Sequence, residues 1–289
     1  MENKPKNYLN DEHLSIGTRE YLRVLNAGGR PVESLPVAEA RKVLADVQAA
    51  VEVDLSGIDE REREIVADGH ALTLHLVRPH GSRGRPPYFV FIHGGGWVLG
   101  DYPTHRRLVR DLVVESEVAA VFVDYTPSPE AKYPQAVDEI YAAVKWVAEN
   151  DAELDLDRRR MALVGNSAGG NMALAAALLA KKRHAPAVRA LVLLWPVTSA
   201  SSDWKSYALY GGERFLTAPL MKWMFDQYTT DPQQRREVYV SPLRATDDEL
   251  RGLPPTYIQV AENDILRDEG EALGRRLSEA GVDATTVRY

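Results

Sequence analysis

Met161-Ala162-Leu163-Val164-Gly165-Asn166-Ser167-Ala168-Gly169-Gly170-Asn171-Met172 begins as an apolar run, turns on glycine and continues in small residues. Residues 161–164 read as a strand. Residues 168–181 read as a helix that is apolar on nearly every side and is therefore buried. Lys181, Lys182 and Arg183 suit the negative end of that helix's dipole. A strand running straight into a helix is half of a strand–helix–strand unit, and the chain repeats this rhythm. Apolar runs at residues 88–92, 118–123, 190–194 and 256–260 have the character of strands buried on both faces. Residues 71–77 alternate apolar and polar side chains, as a half-exposed strand does, and residues 284–289 start a last strand. Between them, Thr104 is expected to cap a helix reaching about residue 117. Pro134 opens another, whose Val137, Ile140, Tyr141, Val144 and Val147 share a face. Residues 268–280 form a third that stops at Gly281. The expected fold class is α/β, a mainly parallel central sheet with helices on both faces.

Two segments stand outside the alternation. Residues 1–55 are polar and helix-rich, with Val37, Ala40, Val43, Leu44 and Val47 at helical spacing. They are too short to bury a core alone. Residues 198–245 carry a concentration of aromatics: Trp204, Tyr207, Tyr210, Phe215, Trp223, Phe225 and Tyr228. Together the two segments are expected to form a helical cap that supplies apolar walls for a ligand, over a core of residues 56–197 and 246–289.

Composition narrows the function classes. The 289 residues carry a net charge of −7 and no cysteine. A dedicated nucleic-acid role is not expected at that charge, and a disulfide scaffold, thiol catalysis and cysteine metal sites are excluded. Met1-Glu2-Asn3-Lys4-Pro5-Lys6 lacks the apolar centre of a signal peptide. No apolar run approaches the ~20 residues of a membrane-spanning helix. The expected location is the cytoplasm.

Gly165-Asn166-Ser167-Ala168-Gly169 matches G-x-S-x-G in the context that gives it meaning, a strand before and a helix after. Taken alone, the pentapeptide also describes a mere tight turn. With these flanks the serine stands above the sheet at a sharp bend, and the helix N-terminus points at it. A second loop strengthens the reading. Phe91-Ile92-His93-Gly94-Gly95-Gly96-Trp97 follows a buried strand, and three glycines let the main chain turn its N–H groups inward. Backbone donors at Gly95, Gly96 and Ala168 are placed to hold the oxygen of a tetrahedral intermediate, each typically worth ~10²–10³ in rate. His93 ends the strand and is read as structural; Trp97 is expected to line the pocket. Asp264 follows the strand of residues 256–260, so it lies at the carboxyl edge of the sheet, where sites are built, and can orient an imidazole.

The order Ser…Asp…His asks for a histidine after Asp264, and the last histidine of the chain is His184. His184 follows a helix leading away from Ser167, roughly 20 Å long at 1.5 Å per residue. His105 begins a helix on the correct side of the sheet but in the wrong part of the chain. His13, His70, His75 and His80 precede the glycine loop and carry no spacing signal.

The pairing of His93-Gly94-Gly95-Gly96-Trp97 with Gly165-Asn166-Ser167-Ala168-Gly169-Gly170 resembles the hormone-sensitive-lipase-like branch of the α/β-hydrolases, which includes bacterial esterases. The likeness runs from about residue 60 to the end, with Asp124-Tyr125, Pro129-Glu130, Tyr133-Pro134 and the segment from Asp264 to Gly270 also resembling that branch. It implies an α/β-hydrolase fold with a helical cap, no cofactor or metal, and hydrolysis of short- to medium-chain carboxylic esters. It also implies Ser167 as nucleophile, Asp264 as triad acid, and Gly95, Gly96 and Ala168 as oxyanion donors. Three positions depart from the pattern. Asn166 replaces a usual Asp and joins His93 and Trp97 as an expected pocket residue. Ile265 replaces a usual Pro. The family histidine would fall about five positions past Tyr289, so the chain is expected to be a shortened form that hydrolyses p-nitrophenyl butyrate more slowly than an extended one. The expected partner is a small ester, with a homodimer left open. The competing readings are an amidase or formamidase with the same triad, and a ligand-binding pseudo-hydrolase like the gibberellin receptors, which lack the histidine.

Overall fold

A computed structural model describes residues 7–289; the reading of residues 1–6 as lacking a leader lies outside the described residues. The chain opens with two helices, α1 (Ile16–Leu25) and α2 (Val37–Ala49). Strands and helices then follow as β1 (Ile58–Ala67), β2 (His70–Pro79), β3 (Tyr88–Ile92), α3 (Tyr102–Ser116), β4 (Ala119–Asp124), α4 (Gln135–Glu149), β5 (Met161–Asn166), α5 (Ala168–Arg183) and β6 (Ala190–Leu194). Next come α6 (Lys205–Tyr210), α7 (Ala218–Tyr228), the single turn α8 (Asp247–Leu250), β7 (Thr256–Val260), α9 (Arg267–Glu279) and β8 (Ala284–Arg288). The eight strands form one sheet in the order β1-β2-β4-β3-β5-β6-β7-β8. Only β1 with β2 and β2 with β4 pair antiparallel; the remaining neighbours are parallel.

The apolar strands sort their side chains with period two. On β3, Tyr88, Val90 and Ile92 join the cluster holding α4 and α5, whereas Phe89 and Phe91 join Val109 and Val113 of α3 on the opposite face. Burial on both faces is why these strands read as unbroken apolar runs. Helix α9 comes close to β7 and β8 through two glycines: a Cβ on Gly270 would meet Val260, and one on Gly274 would meet Thr286.

Two local expectations change. β1 has no place in the apolar pattern because residues 59–64 are Asp, Glu, Arg, Glu, Arg and Glu, mostly exposed. It is an edge strand, and charge on an edge strand discourages pairing with a second sheet. It joins β2 through Asp68-Gly69, both at positive φ, a two-residue turn that suits tight hairpins. Helix α3 is capped by Asp101 and not by Thr104. The Asp101 carboxylate accepts the Thr104 N–H at 2.9 Å, and the Thr104 hydroxyl accepts the Asp101 N–H at 2.9 Å. This reciprocal pair satisfies two amides and starts the helix three residues earlier.

From residue 7 onward, the segments outside the alternation are bonded to each other and to the core. Arg214 and Asp11 form an ion pair that is almost wholly buried, with 3.0 Å between Nη2 and Oδ2. Arg41 of α2 donates to the carbonyls of Val98 and Ser128 and pairs with Glu130. Among the described residues no helix is long and apolar enough to cross a membrane.

Candidate active site

Ser167 takes φ 55° and ψ −121° between β5 and α5. This is backbone strain that a non-glycine residue carries only when its surroundings enforce it. The surroundings are visible. Ser167 N–H donates to Leu194 O at 2.8 Å, while its carbonyl accepts from Asn171 and Val197, each at 3.1 Å. A Cβ on Gly169 would stand 2.0 Å from Ile92 O, so glycine there lets the first turn of α5 rest on the end of β3. The Ser167 hydroxyl caps none of the free N–H groups of α5.

The glycine loop is folded back on itself and tied to the serine turn. Val98 and Leu99 donate to Gly95 O at 3.1 and 2.8 Å. Gly95 has φ 112°, and a Cβ there would lie 1.9 Å from Leu99 O. Gly94 N–H donates to Asn166 Oδ1 at 2.9 Å. Among the described residues, the N–H groups of Gly95, Gly96 and Ala168 donate to no acceptor. They belong to two loops that meet at Ser167.

Asp264 follows β7. Its Oδ1 accepts Leu266 N–H at 2.9 Å, and loss of hydration nonetheless pushes its carboxyl up to about 6. Nearby, Glu269 is fully buried on α9 and accepts the N–H groups of Thr198 and Ser199 at 2.6 and 3.2 Å. Burial raises it well above the ordinary carboxyl value, although both N–H donors oppose the shift.

Ser167, Asp264, Gly95, Gly96 and Asn166 all face one cavity of about 660 Å³. Its apolar walls come from Tyr21, Val43 and Val47 near the N-terminus and from Phe215, Leu220 and Met224 in the aromatic-rich segment. Neither His93 nor Trp97 is among its walls, a correction to both expectations. Trp97 is fully buried, with its indole stacked on Tyr228 at 4.4 Å and against Phe225 at 4.9 Å. A large flat ring gains more by fastening the loop to α7 than by facing a half-open cavity. His93 stacks on Tyr125 at 4.3 Å and donates from Nδ1 to Gly94 O at 2.7 Å. Burial and the neighbouring His105 push it down to about 3, so its imidazole is neutral.

Sequence reasoning set aside His105, yet it lines the cavity. The signal was its place in the first turn of α3, directly after the glycine loop. Three other histidines serve elsewhere: His75 pairs with Asp124 at 2.8 Å, His80 with Asp59 at 2.9 Å, and His184 ends α5. Among the described residues no group of three or more histidine and acidic side chains is arranged to hold a metal.

The model of the alpha/beta hydrolase fold family matches residues 89–289. A thermostable esterase from Pseudomonas putida has a solved structure that superposes with a TM-score of 0.95 at 52% identity, covering 97% of this chain and 88% of that one. Ethyl acetate hydrolase of Pseudomonas putida is 32% identical over 274 residues, 91% of this chain and 85% of the relative. Carboxylesterase NlhH of Mycobacterium tuberculosis is 34% identical over 226 residues, 76% of this chain and 70% of the relative. The chain therefore belongs to the alpha/beta hydrolase fold family.

Proposed function

We propose that the protein is a serine carboxylic ester hydrolase acting on short- to medium-chain acyl esters. One observation carries the reading: a strained serine at a strand–helix turn shares a cavity with Gly95 and Gly96, whose N–H groups, like that of the adjoining Ala168, have no acceptor among the described residues. The esterase names of its relatives support the same class. In this reading the Ser167 hydroxyl attacks the ester carbonyl while a base takes its proton. The carbonyl oxygen gains charge and is held by Gly95, Gly96 and Ala168 N–H groups, already in place and partly shielded from water. Collapse of the tetrahedral intermediate expels the alcohol, and water then releases the acid from the acyl-enzyme.

Asp264 is assigned the task of orienting the base. Among the described residues its carboxylate has one hydrogen bond, from Leu266, and its raised pKa is that of a buried acid lacking a cationic neighbour. An imidazole beside it would lower that value and be stabilised as imidazolium in turn. The helical segments 1–55 and 198–245 act as a cap, setting the shape of the apolar walls and therefore the acyl preference.

The test is a series of p-nitrophenyl esters from acetate to palmitate, with the matching p-nitroanilides. The expected result is a kcat/KM maximum at short or medium acyl length, with the anilides turned over far more slowly. Faster cleavage of the anilides would make the protein an amidase. Saturable binding of the esters by full-length protein with no turnover would make it a ligand-binding relative.

A further inference from the structure

The side chains around Asn166 form a directional chain of hydrogen bonds. Asn166 Oδ1 accepts the Gly94 N–H; only the oxygen of a carboxamide can do so, so the orientation of this amide is fixed. Its Nδ2 therefore faces outward, and it lies 3.5 Å from His105 Nε2, a long contact for a hydrogen bond. An amide nitrogen is a donor, so Nε2 must present its lone pair. The other side of the ring agrees. His105 Nδ1 lies 3.2 Å from the Asp101 carbonyl, which can only accept. The Thr104 hydroxyl also donates to that carbonyl at 2.9 Å and lies 3.0 Å from His105 Nδ1. The proton of a neutral ring thus resides on Nδ1. Burial lowers the His105 pKa and keeps the ring neutral.

We propose that His105 is a positioning residue: its Nε2 orients the Asn166 carboxamide, which fixes the glycine loop through Gly94. The chain runs from Asp101 C=O through His105 and Asn166 to Gly94, one residue before the proposed oxyanion donors. It rests on the reading of Ser167 as nucleophile and gives the departure from the family pattern at residue 166 a physical meaning. An aspartate there has no proton to donate. It would require the proton on Nε2 and would turn the ring into a donor. Asparagine selects the opposite tautomer and leaves no second negative charge beside the serine, where the oxyanion develops.

Packing makes the ring a fixed strut. His105 lies 5.2 Å from His93 and 6.3 Å from Phe91, centroid to centroid. A Cβ on Gly100 would lie 3.0 Å from His105 Cε1. The loop between β3 and α3 thus closes around the ring that orients it.

The experiment combines two variants with a measurement independent of turnover, all in full-length protein. His105→Phe keeps a flat ring and removes the acceptor; His105→Gln restores a carbonyl oxygen near the place of Nε2. The expected result is a kcat about 10–100-fold lower for His105→Phe with KM within about twofold, because the oxyanion donors act in the transition state. His105→Gln recovers most of that loss. Nitrogen-15 spectra of histidine-labelled protein show His105 protonated at Nδ1 and bare at Nε2 near neutral pH. Unchanged kcat in His105→Phe, or His105→Gln no better than His105→Phe, overturns the proposal. Loss as complete as that of Ser167→Ala would make His105 the base itself and also overturns it. A proton found on Nε2 overturns it whatever the kinetics. If Ser167→Ala kept full turnover, the nucleophile reading would fall, and the spectra would still decide the hydrogen-bond chain.

Discussion

Ser167→Ala is expected to lower kcat for ester hydrolysis by about 10⁶-fold in full-length protein while substrate binding survives. The size follows from the loss of a covalent route. Without the hydroxyl no acyl-enzyme forms, and what remains is the ~10³–10⁴ acceleration over water that oxyanion donors and binding supply unaided. Stability is expected to change little. The fold fixes Ser167 through its backbone bonds to Leu194, Asn171 and Val197, and alanine keeps all of them. Steady-state kinetics on p-nitrophenyl butyrate, with a thermal melt of the same preparation, check both halves. Turnover within tenfold of the unmodified protein would remove Ser167 from the chemistry.

Gly95→Ala has the second largest expected effect, a kcat about 10²–10³-fold lower with KM changed little. The new methyl would start 1.9 Å from the Leu99 carbonyl oxygen. That oxygen belongs to the backbone and cannot swing away. The φ of 112° is moreover one that side chains rarely adopt. The loop must therefore move, and its N–H groups leave the serine. Gly96→Ala makes the control. Its φ of 61° lies in the left-handed region, and its nearest neighbour is the Met224 sulfur, 2.0 Å from the added Cβ. A flexible thioether side chain can repack, so Gly96→Ala is expected to retain more activity. Comparable damage from both would show that bulk in the loop, and not its backbone path, limits the reaction.

What the sequence discloses and what it withholds follow from how each element is stabilised. β3, β4 and β5 are legible because they are buried on two faces and leave an apolar run, and β6 and β7 because their buried apolar side chains still recur along each strand. β1 is not, because an edge strand has charged residues where an inner strand has apolar ones, and its only local signal is Asp68-Gly69. Ser167 and Asp264 are legible from their places at strand ends. Gly95 and Gly96 are legible because both take positive φ in the turn they make, where glycine is favoured. Trp97 misleads because its neighbours in the chain suggest a pocket, while its neighbours in space, Phe225 and Tyr228, come from α7. His105 is withheld for the same reason. Its importance lies in an approach to Asn166, 61 residues away in the chain, and no local periodicity records that distance. The Asp101 cap was hidden by Thr104, an equally good cap in isolation; only the reciprocal bonding between them decides where α3 begins.

The convergence of the two glycine turns on one oxygen is open to direct view. Full-length protein treated with a p-nitrophenyl alkylphosphonate should gain one phosphonyl group on Ser167 Oγ. Its crystal structure should place a phosphoryl oxygen about 2.7–3.1 Å from the N–H groups of Gly95, Gly96 and Ala168. A phosphoryl oxygen directed to solvent, or an adduct on any other side chain, would contradict the account.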